Sequence, residues 1–209
     1  MEWNLLTAQN LAIIDQEVSR GNFSPAEYEI IRRIIYVSGD FDYYSLISFT
    51  GNALKSGAAA LSARVPILVD TPIIQTGIIP LLQTTFLNPV YCINENSTTL
   101  CFDLKNSLIL PTLANRYPSA IYIIGQNQII LTSLLDLIPS QEIQPSLIIT
   151  TASGFIHKEA INLKLRDSSI SHIRIDSCKG GANLAIAIFN GLIDLAWNAK
   201  QLEIREIKN

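Results

Sequence analysis

Short apolar runs that lack polar alternation limit the folds open to this chain more than any other feature. Three of them are PILVD (66–70), AIYIIG (120–125) and SLIIT (146–150), and a fourth surrounds residues 173–175. A strand with one face in water alternates polar and apolar residues, so these runs predict strands covered on both faces. Helical patterns lie between or after them, at 128–137, 157–165 and 182–200. The prediction is one α/β domain over residues 1–209, with a mainly parallel central sheet flanked by helices.

The first part of the chain predicts a helical segment ahead of this sheet. In residues 7–20, apolar residues recur at three- and four-residue steps after a possible cap at Thr7. The capping box Ser24-Pro25-Ala26-Glu27 starts a second helix that ends near Gly39.

The next stretch is harder to assign. Residues 41–50 are interpreted as a linker, and an alanine-rich helix is predicted around 54–63. Residues 87–110 give no clear pattern, although 90–93 are compatible with a further strand.

Composition and charge exclude several classes of function. The formal net charge is -3, from 15 Lys+Arg against 18 Asp+Glu, which argues against a nucleic-acid partner. The mean hydropathy of +0.28 is high, yet no run reaches the ~20 apolar residues of a membrane span. The first ten residues carry Glu2 and no Lys or Arg, unlike a secretory signal. Cys92, Cys101 and Cys178 form no CxxC pair, so they are interpreted as small apolar residues of a cytoplasmic protein.

Candidate site residues follow the predicted strands, because ligands of open parallel sheets bind beyond the carboxyl ends of the strands. The segments concerned are 70–72, 125–127, 151–155 and 176–181. Their glycines suit tight turns whose free N–H groups bind carboxylates at a helix start, although turn geometry alone also explains glycine there. Asp70 is either a helix cap for the Thr71-Pro72 turn or a buried acid. Lys179 would add an ammonium to a helix dipole, unless it is simply solvated.

Several catalytic and nucleotide-binding motifs are missing from the sequence. The chain has no GxGxxG, GxxxxGK[ST], GxSxG or HExxH pattern. His157 is predicted to open a helix and His172 to begin the last strand, each as a solvated or packing residue. No metal site is predicted.

Taken in order, these segments resemble the precorrin-8X methylmutases (precorrin isomerases) of cobalamin biosynthesis. The resemblance is carried by LAII (11–14), RRIIYVSGDFD (32–42), PILVD (66–70) with Gly77, IIG (123–125), GFI (154–156) and KGGAN (179–183). It implies an α/β fold and a homodimer whose substrate pockets are shared between subunits. It also implies methyl transfer between adjacent ring carbons of a corrin precursor, a polycarboxylate tetrapyrrole, without any cofactor.

The same resemblance supplies a candidate for the catalytic residue. Where the family has the histidine proposed to protonate the macrocycle, this chain has Tyr36. Tyrosine has a reference pKa near 10 against about 6.5 for histidine, so it is the weaker proton donor. The resemblance places substrate binding at Gln9, Asn10, Gly39, Asp70, Gly125, Gln126, Gly154, Phe155, Lys179, Gly180 and Gly181.

Three further departures from the family pattern lie in the presumed substrate loops. The family's Arg-Ser is Gln9-Asn10 here, its Gly-Asn-Ala-Pro-Thr turn is 125–129, and its Glu-Ser-Lys is 160–162. Two hypotheses therefore stand. The chain is either a methylmutase that uses Tyr36, or a relative that binds a tetrapyrrole or a protein partner without catalysis.

Overall fold

The central strands of the sheet are buried on both faces, as the apolar runs predict. The computed structural model describes residues 5–94, 109–140, 143–154 and 158–207. Every residue of the second, fourth, fifth and sixth strands is buried. The strands are β1 (Ile47–Phe49), β2 (Ile67–Val69), β3 (Val90–Cys92), β4 (Ile121–Ile124), β5 (Leu147–Thr150) and β6 (His172–Ile175).

Helices fill most of the remaining described chain. They are α1 (Leu5–Glu17), α2 (Pro25–Ser38), α3 (Tyr43–Leu46), α4 (Ala53–Ser62), α5 (Pro72–Gln83), α6 (Ile109–Arg116), α7 (Gln128–Ser140), α8 (Lys158–Arg166) and α9 (Ala182–Ile207). None of the helices in the described ranges is both long enough and apolar enough to cross a membrane.

The strand order is β1-β6-β5-β4-β2-β3, and every neighbouring pair except β1 with β6 is parallel. This order confirms the predicted α/β class with a mainly parallel sheet. The direction of winding reverses between β2 and β4, so the crevice between their carboxyl ends is the topological switch point, where ligands bind in open α/β sheets.

Two hydrophobic cores cover the two faces of the sheet. Ile67 and Val69 of β2 point into a core shared with α2, α5 and α9, whereas Leu68 points into a core shared with α6, α7 and α8. This alternation of side chains is the ordinary geometry of a strand. Both faces are apolar because both carry helices.

The N-terminal helices agree with the sequence except at the first cap. Ser24 accepts from the N–H of Glu27 while the Glu27 carboxylate accepts from the N–H of Ser24, which completes the predicted capping box. Helix α2 ends at Gly39, whose φ of 66° is left-handed. Helix α1 begins at Leu5, so Thr7 lies inside the helix and does not cap it.

The segment interpreted as a linker is partly regular, and this prediction was wrong. Residues 41–50 contain α3 and the antiparallel strand β1, which pairs with β6. Ser48 interrupts the apolar residues of β1, so the segment lacks the continuous apolar run by which the three-residue β2 was predicted, and pairing with β6 establishes the strand. Helices α5 and α6 were also not predicted. Strand β3 matches the possible strand at 90–93, whereas residues 95–108 lie outside the described chain.

The cysteines divide between the two environments. Cys92 is buried, as a small apolar residue would be, but Cys178 is exposed at the carboxyl end of β6. The interpretation as a small apolar residue fits the buried Cys92, whereas it does not account for the exposed Cys178. Cys101 lies outside the described residues.

A prediction concerns the contact of α5 with α9. A Cβ at Gly77 would lie 2.6 Å from Cδ1 and 2.9 Å from Cγ1 of Ile186. We expect Gly77→Ala to lower the free energy of unfolding by about 1–3 kcal/mol, because the added methyl overpacks this crossing. Urea denaturation measures the change.

Gly51→Ala is the matched control, since no atom lies within 4 Å of a Cβ at that position. Its free energy of unfolding should stay within about 0.5 kcal/mol of wild type. Equal stability of the two variants would show that the α5–α9 crossing tolerates a larger residue.

Candidate active site

The carboxyl edge of the sheet brings together most of the residues predicted to bind substrate. Here we use "carboxyl edge" for the loops that follow β2, β4, β5 and β6 together with the end of α2, which the ion pairs of Lys179 join to them. The predicted residues on this edge are Tyr36, Gly39, Asp70, Gly125, Gln126, Gly154, Lys179, Gly180 and Gly181.

Asp70 lies at the switch point between β2 and β4 and is fully buried. Its Oδ2 accepts hydrogen bonds of 2.8 Å from the N–H groups of both Gln126 and Asn127. Its Oδ1 is buried without a hydrogen-bond partner among the described residues. Burial raises the pKa of Asp70 above its ordinary value of 3.8, although the N–H groups of Asn127 and Gln126 act in the opposite direction.

This arrangement corrects two expectations about the same loops. Asp70 does not cap the Thr71-Pro72 turn, because Thr71 holds the N-cap position of α5 and no side chain bonds there. The N–H groups that follow β4 are also not free for a substrate carboxylate. Asp70 takes two of them, and Asn127 Oδ1 accepts from Ile129 and Ile130 at the start of α7.

The loops after β5 and β6 are fixed to each other by backbone contacts. The N–H of Gly181 donates to the carbonyl of Thr151 at 2.7 Å, and Thr151 Oγ1 donates to the carbonyl of Gly181 at 2.8 Å. A Cβ at Gly180 would collide with that carbonyl of Thr151, so the approach requires glycine. Gly154 donates to the carbonyl of Cys178 at 3.3 Å. These glycines shape the edge by close backbone packing.

Lys179 carries two counter-ions of its own. Its Nζ lies 2.7 Å from Asp40 Oδ2 and 2.7 Å from Asp42 Oδ2. Hydrogen bonding to Lys179 lowers the pKa of Asp40, and hydrogen bonds to Asp40 and then Asp42 raise the pKa of Lys179. The expected free cation is thus a paired one. Its ion pairs hold the α2–α3 connection against the loop after β6.

Tyr36 lies on the last turn of α2 with 44% of its surface exposed. Val37 and Phe41 beside it in the chain are 50% and 42% exposed. The end of α2 therefore presents a phenol and two apolar side chains to the surface at the carboxyl edge.

Gln9 and Asn10 belong to α1, which packs against α2. The neighbouring Ala8 and Leu11 line a pocket together with Arg32 and Arg33 of α2, three to four residues before Tyr36. The Asn10 amide donates to the carbonyl of Leu6. The role of both residues stays a prediction. Phe155 lies outside the described residues, as does His157.

Sequence reasoning missed a buried polar chain on β6. His172 is fully buried and therefore a packing residue, as expected, but its Nε2 lies 2.7 Å from Nη1 of Arg174. Arginine only donates, so Nε2 accepts and Nδ1 carries the proton donated to the Ile170 carbonyl. Arg174 also donates from Nε and Nη2 to the two carboxylate oxygens of Asp176. The alternation of His172, Arg174 and Asp176 in the sequence was the available signal.

Burial lowers the pKa of His172, and the nearby Arg174 acts in the same direction. The neutral imidazole that results is the form able to accept from Arg174. Across the described residues, no group of three His, Cys, Asp or Glu side chains is arranged to hold a metal ion.

Comparison with known proteins connects this geometry to a family. A family profile for precorrin-8X methylmutase matches residues 6–195. The chain belongs to the precorrin-8X methylmutase family. Its role is accordingly that of a methylmutase in cobalamin biosynthesis, and the family's enzymes are isomerases.

Individual methylmutases align with nearly the whole chain. Cobalt-precorrin-8 methylmutase of Synechocystis sp. is 29% identical over 204 residues, covering 90% of this chain and 94% of the relative. The enzyme of the same name from Leptospira interrogans is 30% identical over 206 residues, with coverage of 90% and 91%. The crystal structure of precorrin-8X methylmutase from Thermus thermophilus superposes with a TM-score of 0.82 at 26% identity, over 94% of this chain and 99% of that one.

The burial of Asp70 predicts that the free energy of unfolding depends on pH. An acid whose pKa is higher in the folded protein than the ordinary 3.8 holds its proton more tightly when folded. The stability of the wild type relative to Asp70→Asn should therefore fall as the pH rises from about 4 through the raised pKa, and then level off. Urea denaturation at a series of pH values measures this difference. A constant difference across that range would contradict burial as the dominant effect on Asp70.

Proposed function

We propose that this chain moves a methyl group between adjacent ring carbons of a corrin precursor bound at the carboxyl edge. The observation that carries the proposal is the grouping at one edge of the end of α2, with Tyr36, and the loops after β2, β4, β5 and β6. Membership of the methylmutase family supports the reaction type. Cytoplasmic location and the absence of a cofactor stay predictions made from the sequence.

Tyr36 is the proposed hydrogen-bond or proton donor to the macrocycle. Its position on the last turn of α2 exposes the phenol, and the neighbouring Val37 and Phe41 offer apolar surface to a flat ring system. A phenol holds its proton more tightly than an imidazolium does, so hydrogen bonding to the ring is the larger part of its role.

A second copy of the chain is part of the proposal. The family resemblance implies a homodimer with shared pockets. The exposed apolar side chains of α1, which are Leu5, Leu6 and Ile13, offer surface for such a contact.

One observation favours the alternative of a tetrapyrrole-binding relative without catalysis. The Lys179 ammonium is already balanced by Asp40 and Asp42, which weakens its attraction for a polycarboxylate substrate. With tyrosine in place of the family's histidine, the site would have the family's fold but a weaker proton donor and no free ammonium at Lys179.

Turnover by Tyr36 variants tests the proposal. We expect purified wild type to convert precorrin-8X or its cobalt form, followed by absorbance, and Tyr36→Phe to lower kcat by about a hundredfold because the hydroxyl donor is lost. The kcat of Tyr36→His should equal or exceed that of wild type.

Tyr91→Phe is the matched control, because it removes a phenol hydroxyl from an exposed tyrosine of β3 outside the carboxyl edge. That hydroxyl accepts from the Tyr117 hydroxyl at 3.0 Å and has no part in the proposed site. The variant should leave kcat unchanged. Binding of the precursor without conversion, with activity gained only in Tyr36→His, would overturn the enzymatic proposal in favour of the binding protein.

A further inference from the structure

A pocket of about 450 Å³ opens between α8 and the carboxyl end of β6. Its lining includes Cys178, the residue before Lys179, but neither Tyr36 nor Asp40. Helix α8 and the segment 174–178 form its walls, and its charged lining residues are Glu159, Arg166, Arg174 and Asp176. A pocket of this size holds a side chain or a small ligand, and a whole corrin ring would extend well beyond it.

The pocket has a rigidly held cation at its base. The Arg174 side chain is only 8% exposed, and Asp176 and the neutral His172 fix its guanidinium from two directions. Guanidinium has five N–H donors, and these contacts use three of them. One hydrogen on each of Nη1 and Nη2 remains without a partner in these contacts, and a guanidinium N–H donates a charge-assisted hydrogen bond to a carboxylate.

A second cation and a neutral amide complete the lining. Arg166 and Asn162 lie on the α8 wall, and Arg166 has no ion-pair or hydrogen-bond partner in the part of the chain that the structure describes. Glu159 on the same helix is the one carboxylate of the lining that is not joined to Arg174. The lining therefore carries two guanidinium groups and two carboxylates. Asp176 is bonded to Arg174, and Glu159 is the carboxylate left to oppose an anion beside Arg166.

We propose that this pocket binds a peripheral carboxylate of the corrin precursor, held by the free donors of Arg174 and by Arg166. The assignment rests on the proposed function, and it names residues that set how the polycarboxylate ring is oriented. Lys179 is paired with Asp40 and Asp42, and Arg174 is paired with Asp176. Arg166 therefore supplies the unpaired charge in this assignment, and Arg174 adds its two remaining N–H donors. Glu159 limits the affinity.

Two corrins that differ in side-chain charge test the assignment. Cobyrinic acid has free carboxylates, whereas cobinamide has amides in their place, and both are followed by absorbance titration. We expect Arg166→Gln and Arg174→Lys each to weaken binding of cobyrinic acid by about tenfold, because each removes charge-assisted hydrogen bonds. Glu159→Gln should strengthen it. None of the three should change the affinity for cobinamide.

Lys164→Gln is the matched control for charge. It removes a cation from the same helix, but Lys164 pairs with Asp136 and does not line the pocket. Its affinity for both corrins should equal that of wild type. Arg166 is exposed and Arg174 is buried, so Arg166→Gln keeps the test valid if Arg174→Lys fails to fold.

The outcomes separate this assignment from the proposed function. If wild type, Arg166→Gln and Glu159→Gln all bind cobyrinic acid with the same affinity, the assignment is wrong. The proposed corrin site is not affected by that result. If citrate binds wild type as tightly as cobyrinic acid does and depends on Arg166, the pocket serves a free small carboxylate and the assignment is again overturned. If neither corrin binds wild type, both this assignment and the proposed function fail.

Discussion

Burial of the sheet on both faces is the constraint on which the rest of the structure depends. Strands β2, β4, β5 and β6 expose no side chain, so each connection must cross to a helix that covers one face or the other. All of these strands then end at the same edge. The loops after these strands lie side by side, because parallel strands all end on the same side of the sheet. They carry Asp70, Gln126, Thr151 and Lys179.

Many polar groups of the carboxyl edge form hydrogen bonds or ion pairs with one another. Asp70 accepts from two N–H groups of the neighbouring loop, Lys179 is held by two carboxylates, and Arg174 is joined to Asp176. Buried or crowded polar groups need such partners, since an unpaired one costs more free energy than a hydrogen bond returns. The internal partners fix the shape of the edge. They also leave fewer charges available to a ligand than the loop sequences suggest.

Family membership and site chemistry answer different questions about this chain. The family profile and the 0.82 TM-score establish a methylmutase scaffold over nearly the whole length. The reaction depends on individual side chains, and a fold alone does not determine them. Variants of Tyr36 and of Arg166 therefore test the chemistry of the site, which the match of fold leaves open.

The sequence by itself determined the class of the fold, the order of its main elements and the cap of α2. These follow from local signals: continuous apolar runs, helical periodicity and the Ser24–Glu27 box. It did not reveal β1, because the residues Ile47, Ser48 and Phe49 form no continuous apolar run and the strand is established by its pairing with β6. Only the tertiary structure decided that Asp70 bonds across the switch point and that Lys179 is already paired. Each of these depends on contacts between residues distant in sequence, whose partners no local pattern specifies.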